Sequence, residues 1–178
     1  MNRFGHHWTG ISSGVLTGSV LLSVGFPLSY AVIPILSSWI GGTAPDWLEI
    51  SRAKISSDGI NYERRSIIPH RTITHWWPLW IIPSIYTLWL IFSFTKNINI
   101  KHYDLNMAII LLALGFFIGG ITHLLMDIPN PMGIPIKCPL GKCRYSLKWW
   151  KSGNVFEPFF SLIWFLFSVL IFCSVYIN

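Results

Sequence analysis

The chain has 178 residues, of which 52% are hydrophobic and only 11% charged, against about 25% charged in an ordinary soluble domain. A soluble protein of this length needs more charge to cover its surface, so the composition excludes that class and predicts an integral membrane protein. The net charge of +6 is what membrane orientation and anionic headgroups require, and no basic stripe with interleaved stacking aromatics argues for nucleic acid.

Four stretches lack Asp, Glu, Lys and Arg: Ile11 to Ile40, Thr72 to Thr95, Leu105 to Met126 and Pro158 to Asn178. A spanning helix needs roughly 20 apolar residues. The first stretch is too long for one crossing, since a straight helix over it would run about 45 Å against a hydrocarbon core of about 30 Å. Gly25-Phe26-Pro27 and Pro34 interrupt it, which predicts two shorter helices, about 9–25 and 28–43, folded as a tight hairpin. A single tilted and kinked helix is the alternative. The stretch is too long for a cleavable signal core, and no small-residue cleavage site follows it.

Three further spans are expected at about 76–95, 105–126 and 156–177. Trp76, Trp77, Trp149 and Trp150 fall where spans meet polar segments, the level that tryptophan favours. No repeat or linker divides the chain, so residues 1–178 read as one integral membrane domain. The expected fold is all-α: a polytopic helical bundle of about five spans, with two long loops at 44–75 and 127–155.

With five spans, the N-terminus and both long loops share a side that carries 11 of the 13 basic residues, leaving only Lys96 and Lys101 opposite. The excess of Lys and Arg makes that side cytoplasmic. Five of the six histidines lie there as well: His6, His7, His70, His75 and His123, with His102 opposite. Asp46, Glu49 and Asp127 join them.

His123 and Asp127, at i and i+4, project from one face of a helix at the end of an apolar span. Such a polar pair near the hydrocarbon boundary marks a functional site unless it is a simple mutual hydrogen bond or cap. His70-Arg-Thr-Ile-Thr-His75 comes just before the third span. Its spacing of five cannot put both imidazoles on one helical face, so His75 is expected as a metal ligand and His70 at the phosphate side. Arg71 suits an anionic substrate, because guanidinium grips phosphate bidentately; plain interfacial anchoring is the other reading of this segment. Asp46 follows the flexible run Gly41-Gly-Thr-Ala-Pro45 and suits a bridging carboxylate, with Glu49 as general base or further ligand. His6 and His7 are both open as ligands. Imidazole with carboxylate favours zinc, with manganese or iron(II) behind it. Cys138 and Cys143 read as free thiols on a reducing face, with a zinc pair as the alternative.

No Ser-centred elbow, phosphate-cradling glycine loop or dinucleotide fingerprint is present, so a metal-activated water is the expected nucleophile. The expectation is a phosphoester hydrolase acting on a lipid-like substrate that arrives laterally. A non-catalytic membrane protein, either a metal-binding partner subunit or a pore-forming effector, is the rival. A cation transporter is disfavoured because the polar residues gather at one surface instead of the midplane. Self-association is left open.

Gly5-His6, Pro45-Asp46, His70-Arg-x-x-Thr-His75 and His123-x-x-x-Asp127-x-x-x-Pro131-x-Gly133 together resemble the YdjM family of inner-membrane proteins, described as metal-dependent hydrolases. The resemblance runs from His6 to about Pro139 and implies a metal set of His6, Asp46, His75, His123 and Asp127, choosing His6 over His7. More distantly, the same residues are similar to the zinc-dependent phospholipase C and single-strand nuclease group. There, however, Gly133 stands where that group has a ligand histidine. Many relatives read Pro-Asp-x-Asp, whereas Glu49 lies one residue further on.

Overall fold

The computed structural model describes residues 3–55, 62–95, 104–141 and 143–177. Its first helix, α1, spans Arg3–Ser23, followed by the short α2, Leu28–Ala31, and α3, Ile33–Gly41. The chain reverses at Gly25-Phe26-Pro27. Gly25 takes φ +91°, a left-handed conformation that glycine adopts without steric cost, and the Phe26 amide donates back to the Leu21 carbonyl at 3.0 Å. Pro34 lies in the first turn of α3, where its missing N–H costs no helical bond. The 30-residue apolar stretch is therefore the hairpin expected from its length. Its first helix starts six residues earlier than the expected position 9, because Gly5 and His6 are buried.

Among the described residues, three helices are long and apolar enough to cross a membrane: α5 (Pro78–Thr95), α6 (Leu105–Asp127) and α7 (Phe156–Ile177). Asp104 caps α6 by accepting from the Asn106 amide at 2.7 Å. Helix α6 packs on α1, α3 and α5, and α1 packs on α7. At one end Leu21, Phe26, Tyr30, Met107, Leu111 and Leu114 form an apolar core. The Tyr30 hydroxyl there accepts from the Asp104 amide, pinning the hairpin turn to the start of α6. At the other end Ala44, Trp80, Leu124 and Ile134 form a second core. Helix α7 leaves Phe159, Leu162, Ile163, Leu166 and Leu170 exposed, as suits a lipid-facing span.

The long polar segments carry more structure than loops. The first holds α4 (Ala44–Trp47), an antiparallel pair β1 (Ser51–Ile55) and β2 (Tyr62–Ser66), and a 3₁₀ turn at Ile73–His75. The second holds the short pair β3 (Ile134–Pro135) and β4 (Arg144–Tyr145). None of these strands has the run of alternating apolar residues that announces a strand in sequence. Lys96, Lys101, His102 and Lys142 lie outside the described residues.

Candidate metal centre

Three helices come close enough at one end of the bundle to share a site. The approach depends on glycine: a Cβ at Gly119 of α6 would lie 2.7 Å from the Gly42 nitrogen, and a Cβ at Gly10 of α1 would lie 2.7 Å from the Ser38 carbonyl oxygen. With backbones this near, His123 of α6 donates from Nδ1 to the Gly42 carbonyl at 2.8 Å. The His6 ring of α1 stacks on the His123 ring with centroids 3.7 Å apart. Asp46 arrives from α4 and His75 from the 3₁₀ turn.

Four atoms face a common centre. His75 Nε2 lies 3.2 Å from His123 Nε2. His75 Nε2 is 3.6 Å from both Asp46 Oδ1 and Asp127 Oδ2, and His123 Nε2 is 3.7 Å from the same two oxygens. Tautomers follow from the outer partners. Because His123 Nδ1 gives its proton to a carbonyl, a neutral His123 presents a lone pair at Nε2. His75 Nδ1 lies 3.3 Å from Glu49 Oε1 and likewise turns its Nε2 lone pair inward. Two imidazole lone pairs and two carboxylates facing one another repel unless a cation lies between them. Zinc binds these donors at about 2.0–2.2 Å, which puts tetrahedral ligand atoms roughly 3.3–3.6 Å apart. The five separations that link the two imidazoles to each other and to both carboxylates, 3.2–3.7 Å, are close to those around one such ion.

His6 completes the set from the side, its Nε2 3.6 Å from Asp127 Oδ1. His6, His75, His123 and Asp127 are almost fully buried, whereas the Asp46 side chain is 33% exposed. Burial alone would raise the Asp46 carboxyl, but the surrounding His75, His123 and His6 rings hold it below the ordinary carboxylate range.

His6, Asp46, Glu49, His70, Arg71, His75, His123 and Asp127 from the expected set come together here. Glu49 is buried and accepts from His70 Nδ1 at 2.8 Å and from the Arg71 amide at 2.9 Å, besides facing His75. Asp46, Glu49 and His70 can each offer a ligand atom within 4.8 Å of the others, so a second ion has a candidate position. Arg71 is held differently from the expected free phosphate clamp. Its backbone has φ +57°, a conformation that costs an ordinary residue about 1 kcal/mol or more. Its Nη2 pairs with Asp127 Oδ2 at 2.9 Å, which fixes the guanidinium beside a ligand.

Asn130, absent from the sequence-derived set, donates from Nδ2 to Asp127 Oδ1 at 3.1 Å. Its position three residues after Asp127 was the available signal. His7 does not reach the centre; with Arg3, Thr43, Asp46 and Trp47 it lines an adjoining cavity of about 250 Å³. Cys138 and Cys143 are exposed free thiols, and no cluster of metal-binding groups among the described residues contains a cysteine.

The fold and this cluster together define a polytopic helical membrane protein with histidine and carboxylate side chains converging at one end of the bundle. The chain belongs to the YdjM inner membrane protein family, whose model matches residues 1–177. No curated protein and no solved structure matches it.

Proposed function

We propose that this protein is a metal-dependent hydrolase of the inner membrane that cleaves a phosphoester of a lipid-like substrate at the cytoplasmic face. The observation that carries the reading is the convergence of candidate ligand atoms on His75, His123, Asp46 and Asp127, with the two imidazole nitrogens 3.2 Å apart and each 3.6–3.7 Å from both carboxylates. Cytoplasmic placement is supported by the basic residues concentrated on this side.

A bound ion would supply Lewis acidity, lowering the pKa of a coordinated water to about 7 and neutralising phosphoryl oxygens. The protein does the rest. Gly42 and Glu49 orient the two imidazoles through their Nδ1 atoms, as outer partners of metal-binding histidines generally do. Arg71 and Asn130 hold Asp127, while Asp46 borders the cavity through which substrate arrives. Glu49 is the proton acceptor, and His70, half exposed and bonded to it, carries the proton to solvent. The water oxygen bonds to phosphorus as the ester P–O bond breaks, and the departing oxygen leaves with the electron pair and takes a proton.

Four protein ligands also describe a closed structural metal site, the reading that would suit a non-catalytic subunit. A water would have to join as a fifth ligand or displace Asp46, and the partial exposure of Asp46 favours that open, catalytic arrangement. The test is metal analysis of the purified protein, followed by phosphate release from lipid phosphoesters. Stoichiometric zinc lost in His123→Ala and Asp127→Ala, with turnover lost in Glu49→Gln, is the expected result. Metal-free wild-type protein refutes the proposal. Metal without turnover on any lipid phosphoester favours the structural role.

A further inference from the structure

The polar cavity beside Asp46 is not isolated. Arg3 and His7, one turn apart on α1, line it. Phe4 and Trp8, next in sequence and also one turn apart, line an apolar groove of about 320 Å³ together with Ser161, Leu162, Phe165 and Leu166 of α7. Successive residues lie about 100° apart around a helix, so the two pairs form adjoining stripes on the first turns of α1. Trp8 meets Phe165 edge to face with ring centroids 5.0 Å apart, which forms the floor of the groove. Leu162 and Leu166 are half exposed and open it toward the lipid-facing side of α7.

We propose that the substrate is an amphiphile bound across these two stripes, with an apolar chain in the α1–α7 groove and an anionic phosphate head at Arg3 and His7 beside Asp46. This rests on the hydrolase reading above and names its substrate class as a phosphate-bearing lipid. Charge and continuity identify the occupant. A water-soluble phosphoester leaves the groove unfilled, and an uncharged lipid leaves the Arg3 guanidinium without an anion. Asp46 is the one carboxylate among the lining residues, and a bound cation neutralises it. The cavity at Arg71 and Lys151 does not offer the same route, because the Arg71–Asp127 ion pair closes it from the inward-facing atoms. Entry along α7 lets the lipid reach the centre without leaving the bilayer.

The experiment measures binding of phosphatidic acids of increasing chain length to the zinc-loaded protein in nanodiscs by native mass spectrometry, without turnover. In wild type the affinity should rise with chain length until the groove is full, by well under the roughly fourfold per methylene of a transfer from water, because the chains start in the bilayer. Leu162→Trp and Leu166→Trp, which fill the groove from its exposed wall, should flatten that dependence while metal content stays at the wild-type level. Arg3→Ala should weaken every phosphatidic acid by about tenfold or more and leave diacylglycerol of the same chain unaffected. An unchanged chain-length slope in both groove variants overturns the inference, as does equal loss of phosphatidic acid and diacylglycerol in Arg3→Ala. A wild-type protein that takes up no zinc refutes the hydrolase reading instead, so the two failures are told apart.

Discussion

Replacing Gly119 by alanine should empty the metal centre while leaving the helices formed. The added Cβ would sit 2.7 Å from the Gly42 nitrogen and 2.9 Å from the Gly41 carbonyl carbon, inside the 3.0 Å that real Cβ contacts respect. Both neighbours are backbone, so no side chain can rotate away and α6 must withdraw from α3. That withdrawal occurs one helical turn from His123, whose bond to the Gly42 carbonyl at 2.8 Å spans the same gap. Overpacking of this kind costs about 1–3 kcal/mol, and loss of an outer partner of a ligand histidine lowers metal affinity about 10–100-fold. Chelator competition on the purified variant reads the affinity, and thermal unfolding reads the stability. Leu112→Ala, on an exposed position of α6, serves as the control and should change neither the metal affinity nor the helical content. A folded Gly119→Ala protein with wild-type zinc affinity would refute the argument that backbone proximity sets the ligand geometry.

Other perturbations separate the roles of neighbouring residues. Glu49→Gln keeps an amide oxygen for His75 and so should stay loaded at saturating zinc, with affinity lowered by no more than about tenfold, yet lose about 10²–10⁴-fold in turnover, the usual share of a general base, as measured by phosphate release. Arg71→Ala leaves the Asp127 carboxylate buried without its cation, and chemical denaturation of the zinc-free protein should register a loss of about 3–5 kcal/mol. With zinc bound the loss should shrink. Tyr30→Phe removes the hydroxyl that receives the Asp104 amide; it should cost about 1 kcal/mol and leave zinc content untouched, since it acts at the far end of the bundle. Because the Asp46 carboxyl is held below its ordinary range, its contribution to the zinc-free fold is complete above about pH 4 and is lost as pH falls further. The stability difference between wild type and Asp46→Asn should therefore narrow only in strong acid.

Much of this arrangement can be anticipated from the residues. The length of the uncharged stretch between Ile11 and Ile40, with Gly25-Phe26-Pro27 inside it, forces a reversal, and the reversal returns His6 to the level of Asp46. The i, i+4 spacing of His123 and Asp127 places both on one helical face whatever surrounds them. What spacing cannot convey is how partners are apportioned across the gap between segments. Arg71, which invites a reading as a phosphate clamp, instead pairs with Asp127, because the left-handed backbone at that residue turns its guanidinium inward. Glu49 divides its two oxygens among His70, His75 and the Arg71 amide. Such choices depend on three-dimensional approach set by glycines at positions 10, 42 and 119, and a sequence records only that those side chains are absent. The hairpins within the polar segments escape for a different reason: their strands are short and their residues show no sustained apolar alternation, so periodicity gives little sign of them.

The four atoms around the centre come from three parts of the chain that lie far apart in sequence, α4, the 3₁₀ turn and α6, and they face one another only in the assembled bundle. A cation that binds there prefers the assembled chain over any loosened one, so its binding energy is added to the stability of the finished bundle. Supply of such an ion would then regulate how long the protein survives in the membrane, and a cell short of it would lose molecules to proteolysis.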